Sequence, residues 1–195
     1  MGWRDICRAT DERTVIASVV PRSGTGDTLL LMFPKVDEHG IIACLLADQN
    51  SLVHDFVARQ KVGGTHLKYH MKKQITAVPL SSYTNTDLAF ISSHVLELTY
   101  TSNDLKPWAE DLGYKGKPFT FDPGRRDLLR AELDAYYARL YGLTRDELRY
   151  ILDPADLMGP DYPSETFRVL KKNEEATFGE YRTRRLVLEA WDRMM

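Results

Sequence analysis

The sequence predicts a mixed α/β (α+β) fold, with an α/β domain over residues 1–85 followed by a helical region over residues 86–195. Two apolar runs before residue 85, Thr14-Val15-Ile16-Ala17-Ser18-Val19-Val20 and Thr28-Leu29-Leu30-Leu31-Met32-Phe33, each stop at a proline, as short strands do. After residue 85 the spacing changes: Leu88, Ile91, Val95 and Leu98 recur along one face of a helix. Helix start and stop signals then follow one another through the rest of the chain.

Each element has its own signature. Ser23-Gly24-Thr25-Gly26-Asp27 between the two runs has turn chemistry and predicts a strand–turn–strand pair. Leu45, Leu52, Val53 and Phe56 suggest two helices between residues 41 and 59, with Asn50 or Ser51 as the cap where one stops and the next begins. Gly63-Gly64 breaks the chain, residues 66–74 form a short strand or helix, and residues 75–79 are extended. Asp122-Pro123 opens a helix with an apolar stripe at Leu129, Leu133, Tyr136 and Leu140, and Gly142 ends it. Thr144-Arg145-Asp146-Glu147 is a capping box, stapled by Leu143 and Leu148. Residues 153–163, with three prolines and Gly159, read as a loop. A last helical stretch runs from about Ser164 to Trp191 in two pieces.

Composition limits the function classes. At 195 residues, 43% hydrophobic and 28% charged, the chain can build a sizeable core. Its formal net charge of -2 means that any nucleic-acid contact must come from a local basic patch. Cys7 and Cys44 are far apart, lack partners at zinc-ligand spacing, and read as small buried hydrophobes of a reducing compartment. No apolar run reaches the roughly 18 residues of a membrane span. The start, Met1-Gly2-Trp3-Arg4-Asp5, lacks signal-peptide regions. A cytoplasmic globular protein with no membrane partner is expected.

Phosphate-loop, nucleophile-elbow, zinc-protease and Cys-x-x-Cys patterns are all missing from the sequence. His66 and His70 stand at i, i+4 without a third ligand beside them, so no metal site is expected. Asp161, Glu165 and Lys171 are a loose version of a nuclease centre, a spacing that common residues match by chance. The positive feature is residues 59–73, where Arg59, Lys61, Lys68, Lys72 and Lys73 occur with His66, His70 and Tyr69 and without one acid. Gly63 and Gly64 within it would let a partner approach the backbone closely. Such a strip suits the phosphates of DNA, where each cation displaces counterions, or it is a solvated basic face. Arg13 and Arg22 flank the first predicted strand and could reach base edges or form ordinary salt bridges. Trp108, Tyr136, Tyr137, Tyr141, Phe178, Tyr181 and Trp191 read as core, and Arg182, Arg184 and Arg185 as the exposed face of the last helix.

Longer runs carry a resemblance. Residues 9–21, opening Ala9-Thr10-Asp11-Glu12-Arg13, and residues 46–67, ending Arg59-Gln60-Lys61-Val62-Gly63-Gly64-Thr65-His66-Leu67, resemble the target-recognition region of large restriction–modification methyltransferases. Those are single-chain type II (type IIG-like) adenine-specific enzymes and related phage-defence methylases. Residues 74–80, 95–101, 148–152 and 178–186 continue the likeness, so that it covers nearly the whole chain. The region is also similar to type I specificity subunits. The resemblance implies sequence-specific recognition of double-stranded DNA by the α/β half, with the helices bracing a methyltransferase domain of the parent protein. The family's Asn-Pro-Pro-Tyr-type motif and glycine-rich S-adenosylmethionine motif do not occur here. The chain then looks like a piece of a longer protein: it would have no catalytic residue or cofactor of its own, and S-adenosylmethionine would belong to the catalytic domain. The DNA-binding residues implied are Arg13, Arg22, Arg59, Lys61, Gly63, Gly64, His66, Lys68, Lys72 and Lys73, with Arg13, Arg22 and His66 as candidates for base edges. Replacing Lys72 and Lys73 together should flatten the salt dependence of binding by about two units. A module that docks a methylase or nuclease subunit is the alternative.

Overall fold

The computed structural model describes residues 1–163 and 165–194. It has the expected mixed α/β class, dominated by helix, with one small antiparallel sheet. The sheet order is β2-β1-β3, with β1 (Gly2–Arg4) between β2 (Ala17–Ser18) and β3 (Leu29–Leu31). The two apolar runs therefore do not pair with each other as a hairpin; both pair with the N-terminal residues. Trp3, 1% exposed, fixes this arrangement by burying its ring and donating its indole N–H to the Leu67 carbonyl at 2.8 Å. Gly2 allows it sterically, since a Cβ there would stand 2.7 Å from the Leu30 carbonyl oxygen. The first run is strand over only two residues because other acceptors take its amides: the Asp55 carboxylate binds Thr14 N and Val15 N, and Asn50 Oδ1 binds Ala17 N.

The predicted pair of helices is α1 (His39–Asn50) and α2 (Leu52–Lys61), separated by Ser51, whose hydroxyl accepts from His54 N. A single helical turn, α3 (Tyr69–Lys72), follows the glycine break. The helical region comprises α4 (Asn85–Thr99), α5 (Lys106–Asp111), α6 (Pro123–Leu140), α7 (Arg145–Leu152), α8 (Ala155–Met158), α9 (Arg168–Phe178) and α10 (Arg182–Arg193). Asp122 caps α6 and the Thr144/Glu147 capping box opens α7, as the sequence predicts. Gly142 (φ 74°) and Gly179 (φ 75°) supply left-handed turns after α6 and α9. The predicted loop at residues 153–163 contains α8, and the expected helix start at Ser164 lies outside the described residues.

Packing runs across residue 85. One apolar cluster joins Trp3, Val15, Cys44 and Leu67 to Ile91, Val95, Leu133 and Tyr137. A second joins Leu52 and Val53 of α2 to Phe167, Val187 and Trp191. Residue 85 thus marks a change of secondary structure inside shared cores. Cys7 and Cys44 are both buried, with burial pushing the Cys44 thiol up to about 12. Of the aromatics expected in the core, Phe178 is half exposed and lies under the Arg182 guanidinium. Among the described residues, no helix is long and apolar enough to cross a membrane.

Candidate nucleic-acid interface

The basic strip leaves α2, turns at Gly63 and Gly64, and returns along the N-terminal strand. Cys7 N donates to the Thr65 carbonyl at 3.1 Å and Leu67 N to the Asp5 carbonyl at 2.8 Å, and Ile6 bridges antiparallel to His66. Tyr69 packs edge-on to Trp3 and donates to the Leu31 carbonyl, tying α3 to the sheet. The strip therefore rests on fixed backbone at both ends.

Six of its predicted contact residues, Lys61, Gly63, Gly64, His66, Lys68 and Lys73, are exposed. Neither glycine is required by the fold: a Cβ at Gly63 or Gly64 would meet nothing within 4 Å, and neither has positive φ. Lys61 and Lys73 form no ion pair among the described residues. His66 Nδ1 and the Lys68 ammonium both meet Asp5 Oδ2, at 2.9 and 2.6 Å. Burial alone would raise the Asp5 carboxyl, but hydrogen bonds from Lys68 and His66 outweigh it and hold the group below the ordinary carboxylate range. Sequence reasoning missed Asp5, which is distant in sequence and adds an acid to a strip that read as acid-free.

Three of the predicted contact residues are engaged inside the molecule. Arg59 is only 9% exposed; its guanidinium donates to the carbonyls of Ala9, Asp11, Glu12 and Thr166, pairs with Asp55 and stacks on Phe167. It clamps the 9–12 loop to α2 and faces no solvent that DNA could occupy. Lys72 turns inward to hydrogen-bond His54 Nε2 at 2.9 Å. Burial lowers its ammonium to about 8, against the pull of Asp48 and Asp55. Arg13 bonds the Asn50 carbonyl and Asp134, so its position between α1 and α6 is structural in this conformation. Arg22, by contrast, is exposed in the connection between β2 and β3 and makes no ion pair among the described residues.

Beneath the strip lies a polar cluster that the sequence did not announce. Asp48 accepts from Tyr141 Oη at 2.7 Å and Val78 N at 2.9 Å, and His54 Nδ1 lies 3.8 Å away. Burial pushes Asp48 up to about 6 and His54 down to about 3. With Lys72 donating to Nε2, His54 is neutral and carries its proton on Nδ1. The cluster thus orients α3 from below. The loose nuclease pattern forms no cradle: Lys171 pairs with Asp153 at 2.9 Å and stands 3.9 Å from Glu165. Among the described residues, no three His, Cys, Asp or Glu side chains are placed to hold a metal. No protein-family model, curated protein or solved structure matches this chain.

Proposed function

We propose that the chain is the DNA-recognition portion of a restriction–modification adenine-specific methyltransferase, binding duplex DNA through the edge formed by residues 61–73 and delivering it to a separate catalytic domain. That domain would bind S-adenosylmethionine and flip out the target adenine for transfer to N6. The observation that carries this reading is the pairing of exposed cations with two glycines that no internal contact or backbone angle requires. Bare backbone at Gly63 and Gly64 lets a phosphate or base edge come close, while Lys61 and Lys73 have no ion-pair partner among the described residues to give up. Lys68 and His66 share Asp5, so either can turn outward without leaving that carboxylate alone.

A fluorescence-anisotropy titration with random-sequence duplex DNA across a salt series tests this. Three phosphate contacts, by Lys61, Lys68 and Lys73, give a slope of log K against log salt of about -2.7. An absence of binding at low salt would overturn the reading.

A further inference from the structure

A cleft of about 500 Å³ opens between the 12–18 segment and helices α4, α6 and α10. Its lining is mixed, and Val15, Leu46, Val95, Leu98, Leu133 and Leu186 supply an aliphatic part of it. One wall is strongly cationic. Arg126 and Arg130 of α6 and Arg182 of α10 line it together with a single carboxylate between them, Asp127. Asp127 pairs with Arg182 at 2.8 Å and stands 3.9 Å from Arg130.

The other acids of the cleft are committed elsewhere. Asp134 holds Arg13 and Leu52 N, Glu174 accepts from the amide and hydroxyl of Thr183, and Glu12 accepts from Asn173. Arg126 therefore has no carboxylate partner among the described residues. Its guanidinium gives one hydrogen bond to the Leu98 carbonyl at 2.8 Å, stacks on Phe121 at 4.4 Å, and leaves Nε buried without an acceptor. Burial and the neighbouring Arg130 disfavour its charged form and outweigh the opposite pull of Asp127. A partly buried cation next to a second cation is costly until an anion joins them.

We propose that this cleft is a binding site for a small amphiphilic anion, with its carboxylate or phosphate head on Arg126 and Arg130 and its apolar body between Val95, Leu133 and Leu186. The volume falls in the range of small-molecule pockets, and the scarcity of free hydrogen-bonding groups on the floor favours an aliphatic body over a nucleobase. This site is independent of the DNA-contacting edge.

Isothermal titration of the full chain with decanoate, decyl phosphate and decanol tests the proposal. One-to-one saturable binding of decanoate or decyl phosphate is expected, with the tighter of the two identifying the head group and decanol at least about tenfold weaker. Arg126→Gln and Arg130→Ala should each weaken the anion by about tenfold and leave decanol unchanged. Arg130 is exposed, so its variant tests the charge without risk to the core. Decanol binding as tightly as the anions, an Arg130→Ala chain that binds them unchanged, or no saturable binding of any probe would each overturn the proposal.

Discussion

Arg59 and Lys72 are two cations of one fifteen-residue strip that both turn inward, each by its own chemistry. Arg59 has a planar fork of donors, and the structure supplies four carbonyls and a carboxylate in reach of it. Arg59→Ala should therefore lower unfolding free energy by about 3 kcal/mol or more in urea titrations, and Arg59→Lys should recover little of it, because an ammonium cannot bridge the same set. Lys72 gives a pH signature. Its folded-state pKa lies near 8, below the ordinary lysine value of 10.5, so the unfolded chain holds the extra proton between those values. Stability should rise as pH increases from 8 to 10.5 and level off below 8, where both states hold the proton. Chemical denaturation of the native chain beside Lys72→Met checks this; an identical pH dependence in the two would show that Lys72 contributes nothing. His54, lowered to about 3, has the same sign lower down, losing stability as pH falls below 6.5. Asp48, raised to about 6, opposes it between pH 6 and 3.8, where the folded state holds its proton and the unfolded chain does not.

Among the elements, α2 and the strip that leaves it carry the most consequence. Helix α2 is fixed at its start by Ser51 and by Asp134 accepting from Leu52 N at 2.7 Å, and along its side by Asp55 holding the 14–15 backbone. Ser51→Ala should cost about 1 kcal/mol through the lost cap. The strip's salt dependence separates its inward and outward lysines. Because Lys72 bonds His54, replacing Lys72 and Lys73 together should flatten the slope by about one unit, not the two expected from sequence. A two-unit change would mean that Lys72 leaves His54 when DNA binds. Helices were legible here because their caps are local: Ser51, Asp122 and Thr144 each bond an amide three residues ahead. The sheet was not, since β1 is three residues long and defined only by partners elsewhere in the chain.

At the scale of the whole molecule, the two cores bind the halves together. Trp3 and Cys44 share a cluster with Ile91 and Tyr137, and Tyr137 donates to the Cys44 carbonyl at 2.6 Å. Cutting the chain after residue 85 should leave the first fragment without its helical wall and exposed at Trp3, Val15 and Leu67. We expect it to lack cooperative thermal unfolding by circular dichroism, with two-state melting restored on mixing with residues 86–195 if the pieces reassociate. A cooperative, native-like melt of residues 1–85 alone would show that the shared core is dispensable.

What the sequence determined alone was whatever depends on neighbours within a few residues: the mixed class, the capped helix starts at Ser51, Asp122 and Thr144, the stop at Gly142, and the cationic composition of residues 59–73. Periodicity and caps are short-range, so they survive in one dimension. Only the tertiary structure decided which cations face out. Arg59 and Lys72 lie in the same run as Lys61 and Lys73, yet burial and partners up to 107 positions away turn them inward. Tertiary contacts likewise brought Asp5 beneath His66 and Lys68, and Arg182 of α10 onto Asp127 of α6 at the wall of the cleft. Whether a charge is spent inside a protein or offered to a partner depends on distances in space, and sequence spacing does not encode them.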